Sequence, residues 1–238
     1  MNRRVQGPFC QRCAGYRTFL CRKPCCKFLS WQDQKHHRME PRDDIRQQKH
    51  RLRREHRERR RNQAPDFAAE AAHRAARHLE DSSLWRSSRH LGLFIANDGE
   101  LDPSAIARAA RRADKTLYLP SLRDQTLDFR HWDPATPLRP NRYGIDESTG
   151  AIATEGVLDL LLMPLVAWSP RGARLGMGGG FYDRFVAAQR EHGCPFLLGL
   201  AYDDQQDPRI DALQERWDQP LHGVLTESGL TLFGSVPD

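Results

Sequence analysis

Leu158-Asp-Leu-Leu-Leu-Met-Pro-Leu-Val-Ala-Trp168 leads, across residues 169–173, into Arg174-Leu-Gly-Met-Gly-Gly-Gly-Phe-Tyr-Asp-Arg184. An almost unbroken apolar run between polar flanks suits a strand buried on both faces of a sheet, with Pro164 ending its regular part early. A glycine cluster just after such a strand lets backbone N–H groups approach a phosphate with no side chain in the way. Phe181 to His192 has helix-compatible composition, so those amides would stand at a helix N-terminus, where the dipole favours anions. Asp183 suits a divalent metal and Arg184 suits phosphate charge.

Working outward, strand and helix signals alternate. His90–Ala96 reads as a strand, 103–112 as a helix with Pro103 in its first turn, and Thr116–Leu119 as a short strand stopped by Pro120. Leu127–Trp132 alternates like an edge or antiparallel strand, and the Pro- and Gly-containing stretch 133–150 reads as loop. Phe196–Ala201 is a further buried strand, and Val224–Glu227 and Leu230–Phe233 are short terminal ones. Upstream, residues 43–61 read as a basic helix and Asp66–Leu79 as an amphipathic, Ala-rich one. Leu52 is one of very few apolar residues in the basic helix, which predicts a segment with little to bury, either solvated or in contact with RNA. The alternation predicts an α/β sheet covered by helices on both faces, with ligands beyond the carboxyl ends of its strands.

Charge is unevenly spread. The net charge is +6, yet residues 1–38 carry nine Lys/Arg against one Asp and residues 42–61 ten against four Asp/Glu, so the rest of the chain is net negative. Any nucleic-acid binding would rest on those two segments. Five of the six cysteines (Cys10, Cys13, Cys21, Cys25 and Cys26) fall in the first 38 residues, and only Cys194 lies beyond. Cys10 and Cys13 have metal-ligand spacing that the other three could complete around zinc. The preferred alternative is a disordered extension, or a stretch ahead of a true start at Met39, which divides the chain into an extension (1–38) and one folded domain (39–238). No apolar run reaches membrane-span length and no signal-peptide core opens the chain, so a cytoplasmic protein is expected.

The glycine cluster is not a P-loop, because no Gly-Lys-Ser/Thr closes it. As a dinucleotide fingerprint it is poor, since Phe181 at the third position is too bulky for close helix–strand packing, although Asp203 follows the next strand at a plausible distance, so the reading is weakened rather than excluded. A second strand end, Ile95-Ala-Asn-Asp-Gly-Glu100-Leu-Asp102, carries carboxylates. Asp102 suits capping of the helix at Pro103, a role that does not explain Glu100.

Arg174–Arg184 resembles the signature of the 5-formyltetrahydrofolate cyclo-ligases, also called methenyltetrahydrofolate synthetases. Lys49-His-Arg-Leu-Arg53, Phe94–Asp102, Asn141-Arg-Tyr-Gly-Ile145, Leu162-Met-Pro-Leu165 and Trp217-Asp-Gln-Pro-Leu221 resemble further blocks of that family, in the family's order, across roughly residues 43 to 233. The resemblance implies a three-layer α/β sandwich in a single domain, with a mostly parallel central sheet, of the NagB/RpiA/CoA-transferase-like kind. It implies ATP-dependent closure of 5-formyltetrahydrofolate to 5,10-methenyltetrahydrofolate. ATP contacts would come from Lys49, His50, Arg51, Leu52, Arg53, Arg174, Leu175, Gly176, Met177, Gly178, Gly179, Gly180, Phe181 and Tyr182. The folate would meet Ile95, Glu100 and the stretch Met177, Gly178, Gly179, Gly180 and Phe181. Mg²⁺ would be held by Asp183 and Asp218. Partners would be these small molecules, met by a monomer, with neither a membrane nor a nucleic acid expected. Two positions depart from some relatives: Gly179 stands where they carry a lysine and Met177 where they carry a basic residue, which shifts phosphate charge onto Lys49, Arg53 and Arg174. Two other classes remain open from the residues alone: a nucleic-acid-binding protein acting through the basic arm, and another phosphotransferase on the same scaffold.

Overall fold

Leu160–Pro164 forms strand β6 at the centre of the sheet, and its side chains show why the run is apolar throughout. Leu160 and Leu162 face one buried cluster while Leu161 and Met163 face another. A strand covered on both faces has no polar side to show. A computed structural model describes residues 41–234, with the side chains of 41–43 excepted. The expected extension, its cysteines and the boundary at Met39 lie outside the described residues.

The described residues open with helices α1 (Pro41–Arg61), α2 (Pro65–Glu80) and the short α3 (Ser83–Ser87), the last not anticipated from the sequence. There follow β1 (His90–Gly92), α4 (Ser104–Arg112), β2 (Thr116–Arg123), β3 (Thr126–His131), β4 (Leu138–Pro140) and β5 (Asp146–Ser148). After β6 come β7 (Ala167–Trp168), β8 (Arg174–Leu175), α5 (Phe181–Gln189), β9 (Phe196–Leu200), β10 (Gly223–Leu225) and β11 (Leu230–Leu232). Seven strands make the main sheet in the order β11-β10-β9-β6-β1-β2-β3. The five from β10 to β2 run parallel, and β11 and β3 close the edges antiparallel. Helices α2 and α4 pack on one face through Ala71, Ala75, Leu79, Ile106 and Ala110, and α5 packs on the other through Phe185 and Val186. The expected three-layer sandwich is present.

Strand order fixes where a ligand sits. From β1 the chain proceeds to β2 on one side, while β6, on the other side of β1, leads on to β9 and β10. The order therefore reverses between β1 and β6, and a crevice opens outside their carboxyl ends. Leu93 keeps one bond, donating its N–H to the Tyr118 carbonyl, and from Phe94 onward the chain leaves the sheet, so β1 is shorter than the expected 90–96.

Pro120 does not stop β2. The Tyr118 carbonyl faces β1 and the Leu117 carbonyl faces β3, so the nitrogen of residue 120 points to the β1 side, where β1 has already ended opposite Tyr118. The missing N–H therefore forfeits no ladder bond. Residues 133–150 are also more ordered than a loop. β4 and β5 form a hairpin whose turn is tied by Asn141 Oδ1, which accepts from the amides of Tyr143 (2.8 Å) and Ile145 (3.2 Å). Glu147 docks it on β2, accepting from the Leu122 amide at 2.9 Å and the Ser121 hydroxyl at 2.8 Å.

Helix α1 differs most from expectation. Lys49, Leu52, His56 and Arg60 are all buried, a stripe at helical spacing that is mostly polar. A count of apolar residues alone misses such a face.

Candidate active site

The crevice between β1 and β6 is a cleft of about 1200 Å³. Its walls are one face of α1 with Arg60 deepest, the loop 94–100 after β1, the β2–β3 edge at Pro120, Leu122 and Leu127, the end of β6 at Pro164 and Leu165, the β4–β5 hairpin, the glycine loop between β8 and α5, and the loop around Glu215–Asp218. Of the residues singled out from sequence, the cleft gathers Lys49, His50, Arg53, Ile95, Glu100, every residue from Arg174 to Asp183, and Asp218. Two of the expected ATP contacts do not reach it, and neither does Arg184. Arg51 points away into solvent, and Leu52 packs beneath with Ala167, Leu175 and Ile210. Helical rotation explains this, since 49, 50 and 53 share a face that 51 and 52 do not. Arg184, suited by sequence to phosphate, instead spans the back of the loop, donating to the carbonyls of Gln125 (2.5 Å) and Gly179 (2.6 Å).

The glycine loop has the conformation an anion cradle needs. Gly180 caps α5 in the left-handed region (φ +66°) with no side-chain cap, which leaves the first amides of the helix without a capping partner. Gly178 is also left-handed (φ +98°), and a Cβ there would lie 3.2 Å from the Arg53 guanidinium carbon. Arg53 donates to the Gly176 carbonyl at 2.8 Å, which ties α1 to the loop. Burial lowers its pKa and the Asp218 and Glu215 carboxylates oppose the shift.

Cations and carboxylates are matched across the cleft. Lys49 Nζ meets Glu215 at 2.8 Å and Asp218 at 3.0 Å. Arg174 Nη2 meets Asp183 at 2.6 Å, and the Gln219 amide donates to the same oxygen at 3.1 Å. Arg174 Nε is buried without a protein partner. Farther in, burial pushes the Glu100 carboxyl up, and Arg60 and the Asn97 amide oppose it. Burial also raises the Tyr182 hydroxyl pKa, helped by Glu100 and opposed by Arg174, so this phenol stays protonated and feels both sides of the cleft.

A family model for the 5-formyltetrahydrofolate cyclo-ligases matches residues 45–227, a span that contains every described residue lining this cleft. The chain belongs to the 5-formyltetrahydrofolate cyclo-ligase family. A relative of that name from Haemophilus influenzae is 37% identical over 147 residues, covering 59% of this chain and 76% of its own. Another, from Escherichia coli K12, is 34% identical over 178 residues, covering 72% of this chain and 96% of its own. Among solved structures, the 5,10-methenyltetrahydrofolate synthetase of Aquifex aeolicus superposes with a TM-score of 0.69 at 23% identity, over 80% of this chain and 95% of that one, a likeness of fold.

This cyclo-ligase cleft also holds residues that motif reading passed over. Glu215 contributes a second carboxylate to Lys49. Tyr143 and Ile145 line it from the hairpin and Trp217 from the opposite loop, Tyr143 at 59% exposure. Their signal was present in the family blocks at 141–145 and 217–221, but one sequence does not say which block members point inward. At the departures, Met177 is half exposed on the cleft wall with its sulfur 4.0 Å from Arg60, and neither it nor Gly179 adds positive charge.

For a metal, no group of three or more His, Cys, Asp or Glu is assembled among the described residues. Asp183 and Asp218 offer hard carboxylate oxygens beside Arg174 and Lys49, with which they pair. That fits Mg²⁺, which takes one or two carboxylates and fills its remaining positions with phosphate oxygens and water.

Proposed function

We propose that this chain converts 5-formyltetrahydrofolate to 5,10-methenyltetrahydrofolate, consuming ATP to ADP and phosphate. The observation that carries the reading is the convergence of two sets of groups in one cleft. Lys49, Arg53, Arg174 and the amides at the start of α5 suit a triphosphate, and Ile95 and Glu100 face them from the end of β1. A volume of about 1200 Å³ exceeds that of a common single-ligand pocket, which is consistent with two substrates held together.

The chemistry explains why the sites must converge. The N5-formyl group is amide-like, and its oxygen is a poor leaving group. In the proposed reaction the formyl oxygen bonds to the γ-phosphorus of ATP as the bond to ADP breaks. N10 then attacks the formyl carbon and gives up its proton, and the oxygen departs as phosphate, leaving the N5–C–N10 bridge. Ring closure within one bound molecule gains from proximity. Lys49, Arg53 and Arg174 offset charge on the phosphoryl oxygens in a cleft where water is displaced. Phe181 and Tyr182 present ring surfaces, and Glu100 accepts hydrogen bonds from polar edges of the pterin. Asp183 and Asp218 would hold Mg²⁺, which supplies charge neutralisation at the phosphates. The reading has the protein act as a cytoplasmic monomer.

The test is direct. Purified protein is mixed with ATP, Mg²⁺ and 5-formyltetrahydrofolate, and the absorbance of methenyltetrahydrofolate is followed. Its appearance supports the reading, and no product with both substrates present contradicts it.

A further inference from the structure

Arg60, in the last turn of α1, is the largest fully buried side chain among the described residues, with 0% of its side chain exposed. It belongs to no block that suggested the family. Its Nε donates to the Asp98 carbonyl at 2.8 Å and its Nη1 to the Leu165 carbonyl at 2.9 Å. Its Nη2 donates to the Asp98 carboxylate at 2.8 Å and lies 3.5 Å from Glu100 Oε1. Leu165 follows β6 and Asp98 follows β1, so one guanidinium bridges the two strand ends that form the crevice floor.

The loop it grips is tightly specified. Asp98 holds a left-handed backbone (φ 56°), uncommon for a side chain other than glycine. At Gly99 (φ +75°) a Cβ would stand 2.8 Å from the Arg60 carbonyl oxygen, so the loop lies against the helix backbone itself. Arg57 and Arg61 also bind the Asp98 carboxylate. Burial opposes ionisation of Asp98, but the bonds from Arg57, Arg60 and Arg61 outweigh it and hold the carboxyl well below the usual range. Glu100 completes the loop by accepting from the Asn97 amide at 3.1 Å. The charged and titratable groups around Glu100 are thus Arg60 from α1, Asp98 from its own loop and Tyr182 from α5.

A buried guanidinium is a poor way to gain stability, because apolar residues of similar size often do as well or better. A fork that reaches both strand ends and one oxygen of a cleft carboxylate is a good way to fix geometry. We infer that Arg60 is a positioning residue for the folate, holding the loop 97–100 so that the Glu100 carboxylate is aimed into the cleft. The inference rests on the folate role of Glu100 proposed above.

The test is a double-mutant cycle read by calorimetric binding of 5-formyltetrahydrofolate and, separately, of MgATP. Arg60→Lys should weaken folate binding by about tenfold, within the range of coupling between contacting residues, and leave MgATP binding within about twofold. In a Glu100→Gln background the same substitution should change folate binding less than about twofold. Arg57→Gln, which loses a contact to Asp98 but none to Glu100, should bind folate like the parent. An additive cycle, a parallel loss of both ligands, or an equal loss from Arg57→Gln overturns the inference. Should Arg60→Lys fail to fold, Glu100→Asp keeps the charge but withdraws it from Arg60. It should lose folate binding as fully as Glu100→Gln, and parent-like binding overturns the inference. Wild-type protein that binds MgATP but not 5-formyltetrahydrofolate refutes the folate reading itself, whereas wild-type binding with an additive cycle refutes Arg60 alone.

Discussion

Helices α1 and α2 follow one another in the chain and both bury a face, but the two faces are of opposite kinds. α2 buries Ala71, Ala72, Ala75, Ala76 and Leu79, while α1 buries Lys49, His56 and Arg60 around a single Leu52. The buried groups of α2 contact other helices and the sheet as apolar surface, and their worth scales with the area removed from water. Those of α1 each meet a specific polar partner: Lys49 the carboxylates of Glu215 and Asp218, His56 that of Asp207 at 2.8 Å, and Arg60 the strand ends. Desolvating charge is expensive even when it is paired, so α1 is a costly way to cover a core. What it provides is two cations and a set of anchors held rigidly at the cleft. Burial in α2 serves the fold, and burial in α1 serves the site.

Substitutions can break that division. The largest effect is expected at the far end of the charge network, where Asp183→Ala should lower turnover by about 10³-fold or more, since it removes the partner of Arg174 and a proposed metal ligand. Steady-state kinetics checks this, and retained activity would reassign Asp183 to structure. On α1, Lys49→Met should cut kcat/KM for ATP by about 10²-fold while lowering thermal stability less than a core deletion does. On α2, Leu79→Ala should do the reverse, losing about 2–5 kcal/mol in denaturant unfolding while the folded fraction keeps its kcat/KM. If Lys49→Met unfolds the protein and leaves activity intact, the comparison fails.

Acid should separate the two functions as well. The Glu100 carboxyl is raised by burial, so activity should fall on the acid side with an apparent pKa above the ordinary glutamate value of about 4.3. The anchors of α1 behave oppositely. Asp98 and Asp207 ionise against burial because Arg57, Arg60 and Arg61 bond the one and Arg209 and His56 bond the other, so both carboxyls sit below the usual range. A depressed carboxyl contributes stability that is fully present above its unfolded value, about 3.9, and is lost as pH falls through the folded one. Activity should therefore disappear at a pH where circular dichroism still reports native protein. Simultaneous loss of both contradicts these assignments. The smallest effect is expected from removing residues 1–38, because the described residues from Arg46 to Asp218 already supply the groups proposed for ATP, folate and metal. A chain beginning at Met39 should keep kcat/KM within about twofold, and an inactive product would give the first 38 residues a role.

The comparison also explains what could be read from the sequence. β6, the glycine block and α2 announce themselves through composition or periodicity, and Glu100 stands out because the sequence suits Asp102 to capping. In the structure Pro103 is the N-cap of α4, without a side-chain cap bond, and Asp102, one residue earlier, accepts from the Ser104 amide at 2.8 Å. The inward stripe of α1 could not be read the same way, since its partners lie 38 to 169 residues away in sequence and a buried Lys or Arg looks like a solvated one until they are known. Pro120 and the β4–β5 hairpin failed for a related reason. Proline breaks a strand only if its nitrogen faces a partner, and the hairpin is held by Asn141 and Glu147 side chains rather than by apolar alternation.

The central claim is that α1, the glycine loop and the loop carrying Glu100 form one site in which phosphoryl transfer and ring closure are coupled. The most direct measurement is the ratio of ADP to methenyltetrahydrofolate released from a single reaction of the purified protein with ATP, Mg²⁺ and 5-formyltetrahydrofolate. One ADP is expected for each methenyltetrahydrofolate, with neither formed when the other substrate is left out. ADP without the folate product, or the folate product without ATP, would contradict it.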